Sequence, residues 1–130
     1  MEKVCVDTGV LTEYLLNKKE IVEKIIQLEK TAELAVTPQI IFELFCFAEA
    51  SEKPEENKQV IHDLVLRLTT LDWTVDAAAA AAKVFTELNK TGKKVNLREV
   101  FLGVLAIENK YMLYTDNPEA YEGIGVKIYK

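Results

Sequence analysis

The chain is 130 residues long with 49% apolar residues and a net charge of −5, which suits one domain able to bury its own core. No stretch is rich in Ser, Gly or Pro, and no apolar run approaches the ~18 residues of a membrane span. Disorder and a membrane helix are therefore excluded, and the acidic balance argues against broad electrostatic binding of nucleic acid. With no signal-peptide pattern at Met1-Glu2-Lys3, the expectation is a complete intracellular protein.

The first element is a short apolar run, Val4-Cys5-Val6, that stops at Asp7-Thr8. Such a run reads as a buried parallel strand. Helical spacing follows at Val10, Leu11, Tyr14 and Leu15, then a second helix with Ile21, Ile25, Ile26 and Leu28 as its buried stripe. Leu34-Ala35-Val36 is a strand closed by Thr37-Pro38, and Pro38 suits the first turn of a helix through Ala48. The polar stretch 51–57, with Pro54, is a turn before a helix carrying Val60, Ile61, Leu64, Val65 and Leu68. A strand is expected at Leu71–Val75, with Asp76 capping the alanine-rich helix that runs to about Leu88. Asn96 caps a further helix that turns Val100, Phe101, Val104 and Leu105 inward. The chain closes with a strand at Met112-Leu113-Tyr114, a short helix from Asn117-Pro118 and a strand at Val126-Lys127-Ile128. Strands alternating with helices along the whole length give an α/β fold with a mostly parallel sheet, in one domain over residues 1–130.

Four acids stand out against this pattern. Asp7 ends the first strand, where a helix cap is the ordinary role but where α/β folds also place their chemistry. Asp116 ends the strand at Met112, and Asn117 can cap the next helix, which leaves Asp116 free to face a cleft. Glu43 interrupts an apolar helix, with Gln39, Ile40, Cys46 and Phe47 as its helical neighbours. A carboxylate there needs an Arg, a Lys or a metal, and because arginine is scarce the metal is preferred. Glu99 follows Asn96 at capping-box spacing, so a helix-start role and a site role stand side by side. Clustered carboxylates repel by about 4 kcal/mol per pair at ~4 Å in an effective dielectric near 20, so their gathering implies a cation. A cation held by oxygen implies phosphate chemistry. Cys5 and Cys46 lie among apolar neighbours and His62 is the only histidine, so a zinc site is not expected.

In this order the motifs resemble a PIN domain, and the length suits the VapC-type toxins of toxin–antitoxin pairs. The resemblance is carried by Val6-Asp7-Thr8-Gly9-Val10-Leu11, Thr37-Pro38 through Glu43-Leu44, Asn96-Leu97-Arg98-Glu99-Val100-Phe101 and Tyr114-Thr115-Asp116-Asn117-Pro118. Each is weak alone; in register they span nearly the whole chain. The resemblance implies a three-layer αβα fold whose sheet of about five strands is ordered 3-2-1-4-5. It also implies Mg²⁺ or Mn²⁺ held by Asp7, Glu43, Glu99 and Asp116, and hydrolysis of RNA phosphodiester bonds. A homodimer, a VapB-like antitoxin as partner and a cytoplasmic location follow from it too. Thr8, Thr115 and Asn117 are supporting residues, and Lys93, Lys94 and Arg98 are candidates for the RNA backbone, with a solvated turn as the plainer role. Two positions depart from the family: its third acid is usually aspartate where this chain has Glu99, and Gly9 stands where many relatives carry asparagine. A PIN-like protein that binds RNA or a partner with little or no cleavage is therefore the alternative.

Asp7-Thr8-Gly9 also matches the signature of retroviral-type aspartic proteases, but those are all-β dimers and this chain is helix-rich. A haloacid-dehalogenase needs a second acid at position 9, and a receiver domain needs a strand-end lysine that Lys127 fits poorly.

Overall fold

A computed structural model describes residues 1–130. Strand β1 (Glu2–Val6) runs into helices α1 (Thr8–Leu15) and α2 (Lys19–Thr31); β2 (Ala32–Val36) is followed by α3 (Pro38–Glu49) and α4 (Pro54–Leu66). Next come β3 (Thr69–Thr70), α5 (Val75–Lys90), α6 (Leu97–Glu108) and β4 (Met112–Tyr114), and a 3-10 helix covers Pro118–Tyr121. No helix is long and apolar enough to cross a membrane.

All strand pairs are parallel, in the order β3-β2-β1-β4. Consecutive strand residues point to opposite faces of a sheet, yet Val4, Cys5 and Val6 are all 0% exposed. Both faces of β1 are therefore covered by helices, the three-layer arrangement expected for an unbroken apolar strand. Ala35 and Val36 of β2 and Leu113 of β4 are equally enclosed and belong to the same core.

The sheet differs from expectation at both edges. Four strands form rather than about five. The segment at Val126–Ile128 lies beside β4 through a single parallel bridge, Leu113 to Ile128, with the Leu113 N–H donating to the Lys127 carbonyl at 2.8 Å. Gly123 and Gly125, at φ 84° and 94°, turn the chain just before it, leaving little length for a ladder. At the other edge the ladder falls on Thr69–Thr70 and ends where the Leu71 N–H donates to the Val36 carbonyl at 2.8 Å. Only Leu71 of the expected Leu71–Val75 strand is buried; Trp73 packs at the rim, edge-on to Phe101 at 5.1 Å.

Val75 opens α5, and the cap is Thr74, whose hydroxyl accepts from the Ala77 N–H at 3.0 Å. Asp76 lies in the first turn instead, where its charge favours the helix dipole. The apolar stripes are narrower than the sequence pattern: Ile25 and Leu28 are buried but Ile26 is 43% exposed, and in α4 Val60 is exposed beside buried Ile61 and Leu64. Each of these helices packs along one side only.

Leu113 is fully enclosed at the centre of β4. Leu113→Ala is expected to lower unfolding free energy by about 2–5 kcal/mol, measured as a shift in denaturant midpoint at unchanged slope.

Candidate metal-binding and catalytic site

The site begins with strand pairing. Val6 of β1 lies opposite Tyr114 of β4, and the Asp7 N–H donates to the Tyr114 carbonyl at 2.9 Å, one step beyond the ladder. Asp7 and Thr115 therefore leave the sheet side by side at the carboxyl ends of two neighbouring strands. This is where the winding reverses, with β2 and β3 on one side of β1 and β4 on the other. Asp7 caps the helix and also lines the cleft. Its Oδ1 caps α1 by accepting from the Thr8 N–H at 2.7 Å, and its Oδ2 accepts from the Thr115 hydroxyl at 2.8 Å and the Tyr121 hydroxyl at 2.7 Å. With these three hydrogen bonds and 5% exposure, the carboxylate has a fixed orientation.

Arg98, in the first turn of α6, joins the other acids to it. Its Nε donates to Glu43 Oε2 at 2.6 Å and its Nη2 to Glu43 Oε1 at 2.7 Å, a two-pronged pairing. Nη2 also reaches Asp7 Oδ1 at 2.8 Å and the Thr8 hydroxyl at 3.2 Å, while Nη1 donates to Glu99 Oε2 at 3.0 Å and to the Tyr121 hydroxyl at 3.1 Å. Glu43 is thus neutralised by an arginine, contrary to the expectation drawn from arginine scarcity. Arg98 is one of only two arginines in the chain, and it is committed to carboxylates rather than projecting from a solvated turn. The Thr8 hydroxyl donates to Glu43 as well, so Thr8 and Thr115 both orient carboxylates.

Glu99 is 8% exposed and points to Arg98; the helix start is capped instead by Asn96, whose Oδ1 accepts from the Arg98 N–H at 3.1 Å. Asp116 is exposed and lines a cleft of about 150 Å³ together with Asp7, Gly9, Arg98, Glu99 and Tyr121. A Cβ on Gly9 would stand 2.5 Å from Asp116 Oδ2, so the missing side chain is the space that the carboxylate fills rather than a lost contact. Asn117 makes no side-chain cap; its N–H donates to the Thr115 hydroxyl at 3.1 Å. Lys93 and Lys94 are exposed before α6 and border a separate hollow with Leu88 and Glu122. Tyr121 had no sequence signal beyond an isolated aromatic among Glu and Gly.

Burial pushes the carboxyls of Asp7 and Glu43 up, but hydrogen bonds and charge from Arg98 outweigh it, helped by Tyr121 and Thr115 at Asp7 and by Thr8 at Glu43. Both are held below the usual carboxylate range. Burial, with the charge of Asp7, pushes the Cys5 thiol up to about 12, so Cys5 is an inert core residue; Cys46 is exposed on α3. His62 packs against Phe45 at 5.0 Å.

The donor set available to a metal is oxygen only, four carboxylates against one guanidinium, which suits a hard divalent cation in number and charge. With Arg98 between them, no three of these acids close around one point. Asp116 has no hydrogen-bond partner on its carboxylate, and Glu99 uses one oxygen only.

A sheet switch point whose cleft is lined by Asp7, Glu99 and Asp116, with Glu43 joined to them through Arg98, is the arrangement that a PIN-like fold would give. In sequence and fold the chain is similar to VapC proteins. It is 29% identical over 126 residues to ribonuclease VapC2 of Haemophilus influenzae, covering 95% of this chain and 93% of that protein. It is 26% identical over 125 residues to the tRNA(fMet)-specific endonuclease VapC of Shigella flexneri, covering 96% and 94%. A crystal structure of DNA-bound VapBC from Salmonella typhimurium superposes with a TM-score of 0.86 at 26% identity, covering 99% of this chain and 98% of that one. No family model matches.

Because Asp7 and Glu43 titrate below their unfolded values, their contribution to stability is complete above about pH 5 and is lost as pH falls through the lower folded values. Unfolding free energy is expected to decline from about pH 5 downward. In the metal-free protein Arg98→Gln should cost about 2–4 kcal/mol at pH 7 and flatten that acid slope, read by denaturant titration at several pH values.

Proposed function

We propose that the chain is a divalent-metal-dependent endoribonuclease, the toxin of a type II toxin–antitoxin pair. The observation that carries this reading is the convergence of Asp7, Glu99 and Asp116 on one cleft at the switch point, with Glu43 tied to them through Arg98. The names of the relatives support RNA as substrate and a VapB-like protein as partner.

Asp7, Glu99 and Asp116, with Glu43, would hold Mg²⁺ or Mn²⁺. The ion supplies neutralisation of phosphate and a bound water of lowered pKa. The chain's own residues prepare that site. Thr115 and Tyr121 fix the Asp7 carboxylate, Thr8 orients Glu43, and Gly9 makes room for Asp116. Lys93 and Lys94 offer positive charge to an RNA backbone from the loop before α6. Phe42, 66% exposed on α3, offers an apolar side chain to a homodimer partner or an antitoxin. Such a protein acts in the cytoplasm, where its RNA is.

A second reading, a PIN-like protein that binds RNA or a partner without cutting, is favoured by the engagement of three acids with Arg98.

Purified protein incubated with structured RNA is expected to cleave with Mn²⁺ and not with EDTA, and Asp7→Asn is expected to slow cleavage by more than roughly 100-fold. Cleavage unaffected by EDTA or by Asp7→Asn overturns the enzymatic reading; RNA retained without cleavage selects the second one. Gly9→Ala is expected to raise helix propensity yet displace the Asp116 carboxylate. Its melting temperature should hold or rise while cleavage falls.

A further inference from the structure

We propose that Arg98 is a built-in rival of the divalent cation, holding the acid cluster closed until a metal displaces it. The inference rests on the reading of these carboxylates as a metal site. Arg98 makes six hydrogen bonds from three nitrogens, to Asp7, Glu43 twice, Glu99, Thr8 and Tyr121. Four of them take carboxylate oxygens, so lone pairs that a metal would use on Asp7, on Glu43 and on one oxygen of Glu99 are already directed at N–H groups. That is why three of the acids do not close around one point.

A guanidinium cannot vacate the cluster by losing its proton, because it stays charged at any pH the fold survives. It has to move as a cation. Its side chain is 27% exposed, so an edge already meets water and the departing charge has a solvated place to go. Arg98 also precedes Glu99 directly on α6, so the rival and one of the acids it blocks share a rigid element. A lysine in its place would present one charge without the planar fork that engages Glu43 through two nitrogens.

Two effects of opposite sign follow. Without metal, Arg98 neutralises the cluster and stabilises the fold; toward metal, it weakens affinity. A purely structural arginine would lower both stability and affinity when removed.

Mn²⁺ binding to the full chain without RNA, followed by calorimetric titration, distinguishes these cases. Arg98→Gln is expected to bind Mn²⁺ tighter than wild type by roughly tenfold or more while melting lower in EDTA, with Arg98→Lys between them. Equal or weaker affinity in Arg98→Gln overturns the proposal, as does the absence of Mn²⁺ binding in both proteins. Should Arg98→Gln be unfolded in EDTA, circular dichroism during Mn²⁺ addition decides. Refolding supports the rivalry. Failure to refold, with Arg98→Lys binding no tighter than wild type, overturns it. The ribonuclease reading fails separately: tighter Mn²⁺ binding without cleavage leaves the rivalry standing, and metal-dependent cleavage with unchanged affinity in Arg98→Gln removes the rivalry alone.

Discussion

The structure depends on how negative charge is tolerated at the end of two adjacent buried strands. Asp7 and Asp116 leave neighbouring strands, and Glu43 and Glu99 are brought in by helices packed beside them. In a partly buried setting each pair of carboxylates repels by several kcal/mol unless a cation intervenes. Arg98 is that cation within the chain, and the hydroxyls of Thr8, Thr115 and Tyr121 supply the further donors that buried carboxylates require.

The fold contributes rigidity rather than chemistry. Because β1 is enclosed on both faces, its end is fixed, and Asp7 inherits that fixity through one more ladder bond to Tyr114. α3 and α6 then reach the same place with the longer side chains of Glu43, Arg98 and Glu99. The same α/β layout serves many activities, so what distinguishes this chain is the set of oxygens at the switch point.

Much of this was legible in the chain. Val4–Val6 declares a doubly covered strand, and Asp7 and Asp116 are marked by ending apolar runs. Glu43 is marked by its discomfort among Phe and Ile. The partner of Glu43 was not legible, because Arg98 lies 55 positions away and only the packing of α6 against the sheet end unites them. Scarcity of arginine is a statement about the surface; one well-placed arginine suffices. Glu99 illustrates the limit of local spacing, since its capping-box position is real but its carboxylate finds a stronger, charged donor. The edges of the sheet depart from the sequence pattern because a ladder needs a partner as well as a pattern. Leu71 to Val75 has the alternation of a strand but runs past the end of β2, and Val126 to Ile128 meets a strand of only three residues.

The two cysteines have a practical consequence. Cys5 is sealed in the core with its thiol pushed up to about 12, whereas Cys46 is exposed on α3, three residues beyond Glu43. Residues three apart on a helix are surface neighbours. A thiol-directed fluorophore or spin label would therefore attach at one position without any engineering of the sequence, one helical turn from the acid that Arg98 grips most tightly.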